Sequence, residues 1–131
     1  MRLLIVEDSA LVRRMYGLVF SRREHEMVEA DDGRTALAAL RDSPEPFDII
    51  LLDLRMPGMD GVGFIRAVRE DPQHRAIPII VTTSEPESSE LLQHARSLGV
   101  AAVIKKPWKP QDLLELVKRV RTGQRREGGT K

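Results

Sequence analysis

The sequence predicts an α/β fold: a five-stranded parallel sheet, doubly wound, with five helices in a (βα)5 chain. Three observations predict it. Ile49-Ile50-Leu51-Leu52 is an apolar run with no polar face, the pattern of a strand buried on both sides. Short apolar runs alternate five times with stretches of helical period, an order that right-handed crossovers turn into a parallel sheet covered on both faces. Several of those runs end in an acid, a hydroxyl or a lysine, and open parallel sheets gather their ligands outside that carboxyl edge.

The elements follow in order. Arg2 to Val6 is a short apolar strand running into Glu7-Asp8. Ser9 is placed to cap the next helix, for which Leu11, Met15, Leu18 and Val19 are expected on the inner face. Glu26 to Ala30 alternates polar and apolar, as an edge strand does. Asp31-Asp32-Gly33 turns into a helix with Ala36, Leu37 and Leu40 inward, broken by Ser43-Pro44-Glu45-Pro46. The central strand then ends at Asp53, where Pro57-Gly58 and Asp60-Gly61 turn the chain. Gly61 to Asp71 reads as a helix through Phe64, Ile65 and Val68, stopped by Pro72. Ile77 to Ser84 is the fourth strand, with Pro78 near its start where a missing donor is tolerated. Glu85 to Leu98 reads as a helix striped by Leu91, Leu92, Ala95 and Leu98 and closed by Gly99. Val100 to Lys106 is the fifth strand, and after Pro107-Trp108-Lys109-Pro110 a last helix turns Leu113, Leu116, Val117 and Val120 inward. Residues 122–131 are polar and are expected to form a flexible tail.

At 131 residues the chain fits one domain with a sizeable core. Hydrophobic residues at 41% and charged residues at 31% fit a soluble globular protein and argue against disorder. A net charge of +1 supplies no field for nucleic acid or a membrane surface. With no cysteine, disulfides, thiolate catalysis and thiolate metal sites are excluded. No apolar stretch approaches a membrane span and the N-terminus has no signal-peptide layout, so a cytoplasmic setting is expected.

The chemistry collects at one sheet edge. The first strand delivers Glu7 and Asp8, the third Asp53, the fourth Thr83 and the fifth Lys106. Three neighbouring carboxylates raise one another's pKa unless a cation intervenes. A hard divalent ion with oxygen ligands, Mg²⁺ above all, answers that need, since it takes a few carboxylates and keeps room for phosphate oxygens. With a lysine and a threonine hydroxyl added, the set is that of a phosphoryl-transfer site with a carboxylate nucleophile.

Val6-Glu7-Asp8-Ser9, the stretch Leu52-Asp53-Leu54-Arg55-Met56-Pro57-Gly58-Met59-Asp60-Gly61, Thr83 and Lys106-Pro107 together resemble the response-regulator receiver domain of two-component signalling, of the single-domain chemotaxis type. The resemblance covers residues 1–121. It implies the flavodoxin-like strand order 2-1-3-4-5, with Asp53 as phosphoacceptor from a sensor histidine kinase, a phosphotransfer protein or a small donor. It further implies Mg²⁺ held by Glu7, Asp8, Asp53 and the backbone carbonyl of Arg55. Thr83 and Lys106 would bind the phosphoryl oxygens, and the Lys106-Pro107 bond is often cis in this family. Output would pass through protein contacts of the fourth helix, fifth strand and fifth helix to a target or a second copy, unless the chain is cut from a longer protein, in which residues 123–131 would begin a linker.

Two positions depart from the family's pattern. Val103 stands where an aromatic ring often rotates upon phosphorylation, so threonine-to-aromatic coupling is not the readout. Arg55, two residues past Asp53, is placed to shield the site or to pair with Glu85. Strand alternation sets Thr82 and Ser84 opposite Thr83, but which of the three hydroxyls works is open from the residues alone. Lys105 reads as a solvated neighbour of Lys106, Met56 as core filler, and Trp108 as exposed or half-buried. The scattered His25, His74 and His94 lack metal-ligand spacing. Lys118, Arg119, Arg121, Arg125 and Arg126 complement a helix C-terminus or form a docking patch for an acidic partner; nucleic-acid binding lacks a recognition helix or stacking aromatics.

Three rival functions fit the residues less well. A receiver-like binding module that is never phosphorylated usually lacks the acceptor or the lysine. An aspartyl-phosphate hydrolase usually carries a second acid where Arg55 stands. A nucleotide or flavin protein would need a glycine-rich phosphate loop where Glu7-Asp8-Ser9-Ala10 offers acid.

Overall fold

A computed structural model describes residues 1–20, 24–56 and 58–130, with side chains described through residue 123. The elements run β1 (Arg2–Val6), α1 (Ala10–Val19), β2 (Glu26–Ala30), α2 (Gly33–Asp42), β3 (Ile49–Asp53), α3 (Gly61–Glu70), β4 (Ile79–Thr83), α4 (Glu90–Ser97), β5 (Ala102–Lys105) and α5 (Pro110–Thr130). The sheet order is β2-β1-β3-β4-β5, with every neighbouring pair parallel. This is the expected doubly wound α/β architecture.

All five residues of β3 and all five of β4 are buried, as two-sided coverage requires. One side of the sheet packs Leu4, Val6, Ile50, Leu52 and Val81 against residues of α2, α3 and α4, among them Leu40, Phe64, Ile65 and Leu92. The other packs Leu3, Ile5, Leu51 and Ile80 against Tyr16, Phe20, Leu113 and Val117 of the α1 and α5 side. Alternate residues of each strand thus serve opposite layers, which holds the strand ends in fixed register.

Several expected details are corrected. Leu11 and Leu18 are 67% and 86% exposed, and Met15 is also on the outside. The inner stripe of α1 is Val12, Tyr16, Val19 and the flanking Phe20, because the two aromatics bury more area than the aliphatics they displace. The fourth helix starts at Glu90 rather than Glu85, since the Ser89 hydroxyl caps it by accepting from the Leu92 N–H. Residues 84–89 are therefore loop. Strands β4 and β5 are shorter than their apolar runs. The backbone of α5 is helical through Thr130, across most of the segment read as a tail; the side chains of Arg125 and Arg126, and Lys131, lie outside the described residues, as does Pro57.

Two glycines are required by geometry. Gly99 ends α4 at φ +93°, a left-handed conformation that disfavours side chains. Gly61 opens α3 so close to β3's exit that an added Cβ would lie 2.7 Å from the Leu54 carbonyl oxygen and 2.8 Å from its Cα.

Candidate functional site

The site forms where β1, β3, β4 and β5 end. Glu7 continues the β1 ladder, donating its N–H to Ala30 O at 3.0 Å, and Ser9 then caps α1 by accepting from the Val12 N–H at 3.2 Å. Between them the Glu7 carboxylate, 1% exposed, turns back into the protein. Its Oε2 accepts the Ser9 N–H at 3.1 Å and its Oε1 accepts from Lys106 Nζ at 3.0 Å. A buried carboxylate needs such partners on both oxygens. Arg13 holds the same corner from α1, donating to the Glu7 carbonyl at 2.7 Å while pairing with Glu29 at 3.2 Å.

Asp53 ends β3, also buried, and Lys106 Nζ lies 3.3 Å from its Oδ1. That oxygen further accepts the Arg55 N–H at 3.4 Å. Asp8 is exposed, yet carboxylate oxygens of Glu7, Asp8 and Asp53 all lie within 4.8 Å of one another. Burial, then the neighbouring Glu7 charge, pushes the Asp53 carboxyl up from 3.8 to about 6, against the opposing pull of Lys106. Burial works against the Lys106 ammonium too, but its bond to Glu7 and the charge of Asp53 outweigh it and hold its pKa above the usual value. One ammonium thus serves two acids while a third stands alongside. The excess negative charge and all-oxygen donor set fit a hard divalent cation.

Thr83 is buried at the end of β4, and its Oγ1 accepts the Glu85 N–H at 3.0 Å. Its backbone carbonyl accepts the Lys106 N–H at 2.9 Å, tying the β4 and β5 ends together. Thr82, the register partner of Asp53, lies on the opposite face of the sheet from Thr83, and its hydroxyl reaches the Leu52 carbonyl at 3.5 Å. Arg55 pairs with Glu85 across the mouth of the site, as its position suggested. The Lys106-Pro107 bond is cis, and Met56 is core. Val103 packs partly buried against the core.

Beneath the site the sequence reading misses Tyr16 and sets Trp108 too far out. Tyr16 is buried under it and stacks on Trp108, with ring centroids 5.0 Å apart and planes at 26°. Trp108 is therefore buried, not exposed or half-buried as the sequence suggests. Burial pushes the Tyr16 phenol up to about 12, with polar groups of Thr82 and Trp108 acting the other way and Glu7 adding to it. The only signal was the spacing of Val12, Tyr16 and Phe20 at successive turns. No described helix is long and apolar enough to cross a membrane.

Residues 3–118 match the model of the response regulator receiver domain. The chain is 34% identical over 121 residues to the chemotaxis protein CheY of Pseudomonas aeruginosa, covering 92% of this chain and 95% of that protein. It is 34% identical over 119 residues to the phosphate regulon transcriptional regulatory protein PhoB of Escherichia coli, spanning 91% of itself but only 51% of PhoB. Among solved structures, the chemotaxis response regulator CheY4 of Vibrio cholerae superposes with a TM-score of 0.81 at 35% identity, covering 91% of this chain and 97% of that one. Acids converging at β1 and β3, a lysine reaching them from β5, and likeness along nearly the whole sequence make this chain a member of the response regulator receiver domain family of two-component signalling.

Proposed function

We propose that the chain is a phosphorylatable switch whose acceptor is Asp53, within a receiver unit spanning residues 1–121. The observation that carries this is the meeting of Glu7, Asp8 and Asp53 with Lys106 at one sheet edge. An Asp53 carboxylate oxygen attacks the phosphorus of a histidine kinase phosphohistidine, a phosphotransfer protein or a small acyl phosphate. The new bond is P–O, the donor's P–N or P–O bond breaks, and the bonding pair leaves with the donor. With its pKa at about 6, Asp53 is mostly ionised near pH 7 and ready to attack.

Lys106 stays protonated and hydrogen-bonds one phosphoryl oxygen, while the Thr83 hydroxyl donates to another. Glu7 keeps Lys106 aimed at the acceptor. Asp8, Asp53, Glu7 and the Arg55 carbonyl would hold Mg²⁺, which when bound neutralises charge on the carboxylates and the phosphoryl group. The modified Asp53 carries added negative charge, and the loop after Thr83 responds to it. The signal then leaves through the α4–β5–α5 surface to a target protein or a second copy, in the cytoplasm.

Incubation with acetyl phosphate and Mg²⁺, followed by intact mass, tests this. One phosphoryl group gained by the wild type, and lost in Asp53→Asn or with chelator, is expected. An unmodified wild-type mass under conditions that phosphorylate a known receiver would refute it.

A further inference from the structure

Lys105, which the sequence suggests is merely solvated, is tied into the site's rim. It is the register partner of Thr83 across β4 and β5. Its Nζ donates to the Glu85 carbonyl and lies 3.2 Å from the Glu87 carboxylate. Glu85 is the hub of the loop: its N–H donates to Thr83 Oγ1 at 3.0 Å, and its carboxylate accepts the Ser89 hydroxyl at 2.7 Å and pairs with Arg55. Glu87 in turn pairs with Arg96 of α4 at 2.9 Å.

A hydroxyl has one proton to donate and rotates freely unless its oxygen is engaged. Here the Glu85 N–H occupies an acceptor site of Thr83, so the direction of the remaining O–H depends on where the Glu85 backbone is held. That backbone is anchored at its carbonyl by Lys105. We propose that Lys105 is a positioning residue for phosphoryl transfer: through the Glu85 backbone it fixes the Thr83 hydroxyl, and through Glu87 and Arg96 it links the state of Thr83 to α4. This rests on the reading of Asp53 and Thr83 given above. It also supplies a route to the α4 face that needs no aromatic ring at Val103: the Glu85 carbonyl held by Lys105 is joined through Glu87 to Arg96 of α4. The lowered pKa of Glu87, whose largest cause is its bond to Lys105, agrees with a formed contact.

The test uses the full chain, ¹⁵N-labelled, as wild type, Lys105→Gln and Lys105→Arg. Hydrogen exchange of the Glu85 amide is measured without phosphodonor, with the buried Val81 amide as a check on folding. Phosphoryl uptake from acetyl phosphate is then followed across a Mg²⁺ titration. Lys105→Gln should speed Glu85 exchange and slow uptake, each by roughly five- to tenfold, the scale of one net hydrogen bond. The Mg²⁺ midpoint and Val81 protection should not move, and Lys105→Arg should restore both readouts. Unchanged Glu85 exchange in Lys105→Gln overturns the proposal, as does faster exchange with unaltered uptake. If the wild type itself takes no phosphoryl group, the Asp53 reading falls and takes the catalytic role of Lys105 with it, while the exchange comparison separately decides whether Lys105 anchors Glu85.

Discussion

Asp53 is held in the folded chain at an energetic disadvantage, and removing its charge should stabilise the protein. Raising a carboxyl from 3.8 to about 6 corresponds to roughly 3 kcal/mol at about 1.36 kcal/mol per tenfold change in proton affinity. Screening by water at the site mouth reduces this to about 1–2 kcal/mol. The sign follows from linkage. Between pH 3.8 and about 6 the folded state binds this proton more tightly than the unfolded chain, so stability falls as pH rises through that window. Above it the full penalty persists. Asp53→Asn keeps the shape of the side chain, removes the repulsion with Glu7, and leaves Lys106 its 3.0 Å bond to Glu7. In chelator at pH 7.5 the variant should therefore unfold about 3–8 °C higher than wild type in a thermal melt. The gain should shrink toward zero at pH 4. Saturating Mg²⁺ should reverse the order, since a ligand at about 100 times its Kd adds about 2.7 kcal/mol to the form that binds it. A variant less stable than wild type at pH 7.5 in chelator would refute the claim that buried, crowded charge governs this site.

Two further outcomes follow from the packing. Gly61→Ala should destabilise the chain by about 1–3 kcal/mol in denaturant melts, because the new methyl collides with the Leu54 backbone rather than with a movable side chain; a midpoint equal to wild type would contradict that close approach. Tyr16 is the one tyrosine in the sequence, so absorbance at alkaline pH reads it directly. With its phenol pushed up to about 12, the native protein should show no phenolate at pH 10.5, and ionisation should coincide with loss of structure. A smooth native titration centred near pH 10 would mean that Tyr16 is not buried under the site.

The fold was legible because its signals are long and redundant. The apolar runs at β1, β3 and β4 have no polar side, and five alternations leave few topologies. The order of strands came from resemblance, and the observed β2-β1-β3-β4-β5 agrees with it. The meeting of Glu7, Asp8, Asp53 and Lys106 was legible, since acids and a lysine at the ends of parallel strands share an edge. The site's internal wiring was not. Lys105 looked like a surface charge because its partners, Glu85 and Glu87, lie in a loop that the periodicity assigned to helix. Counting aliphatics put Leu11 and Leu18 inside, whereas Tyr16 and Phe20 hold that face.

By itself, the order of apolar and polar residues determined a doubly covered parallel sheet and the edge at which chemistry collects. Hydrophobic partition acts on local pattern, so local pattern suffices for that much. Only the tertiary structure decided that one ammonium is shared by two acids, with Lys106 reaching Glu7 across 99 positions of sequence. It also decided which side of α1 is buried and which backbone carbonyl anchors the Thr83 loop. Those outcomes rest on distances of a few ångströms between distant segments, where several partners compete for the same charge or the same space.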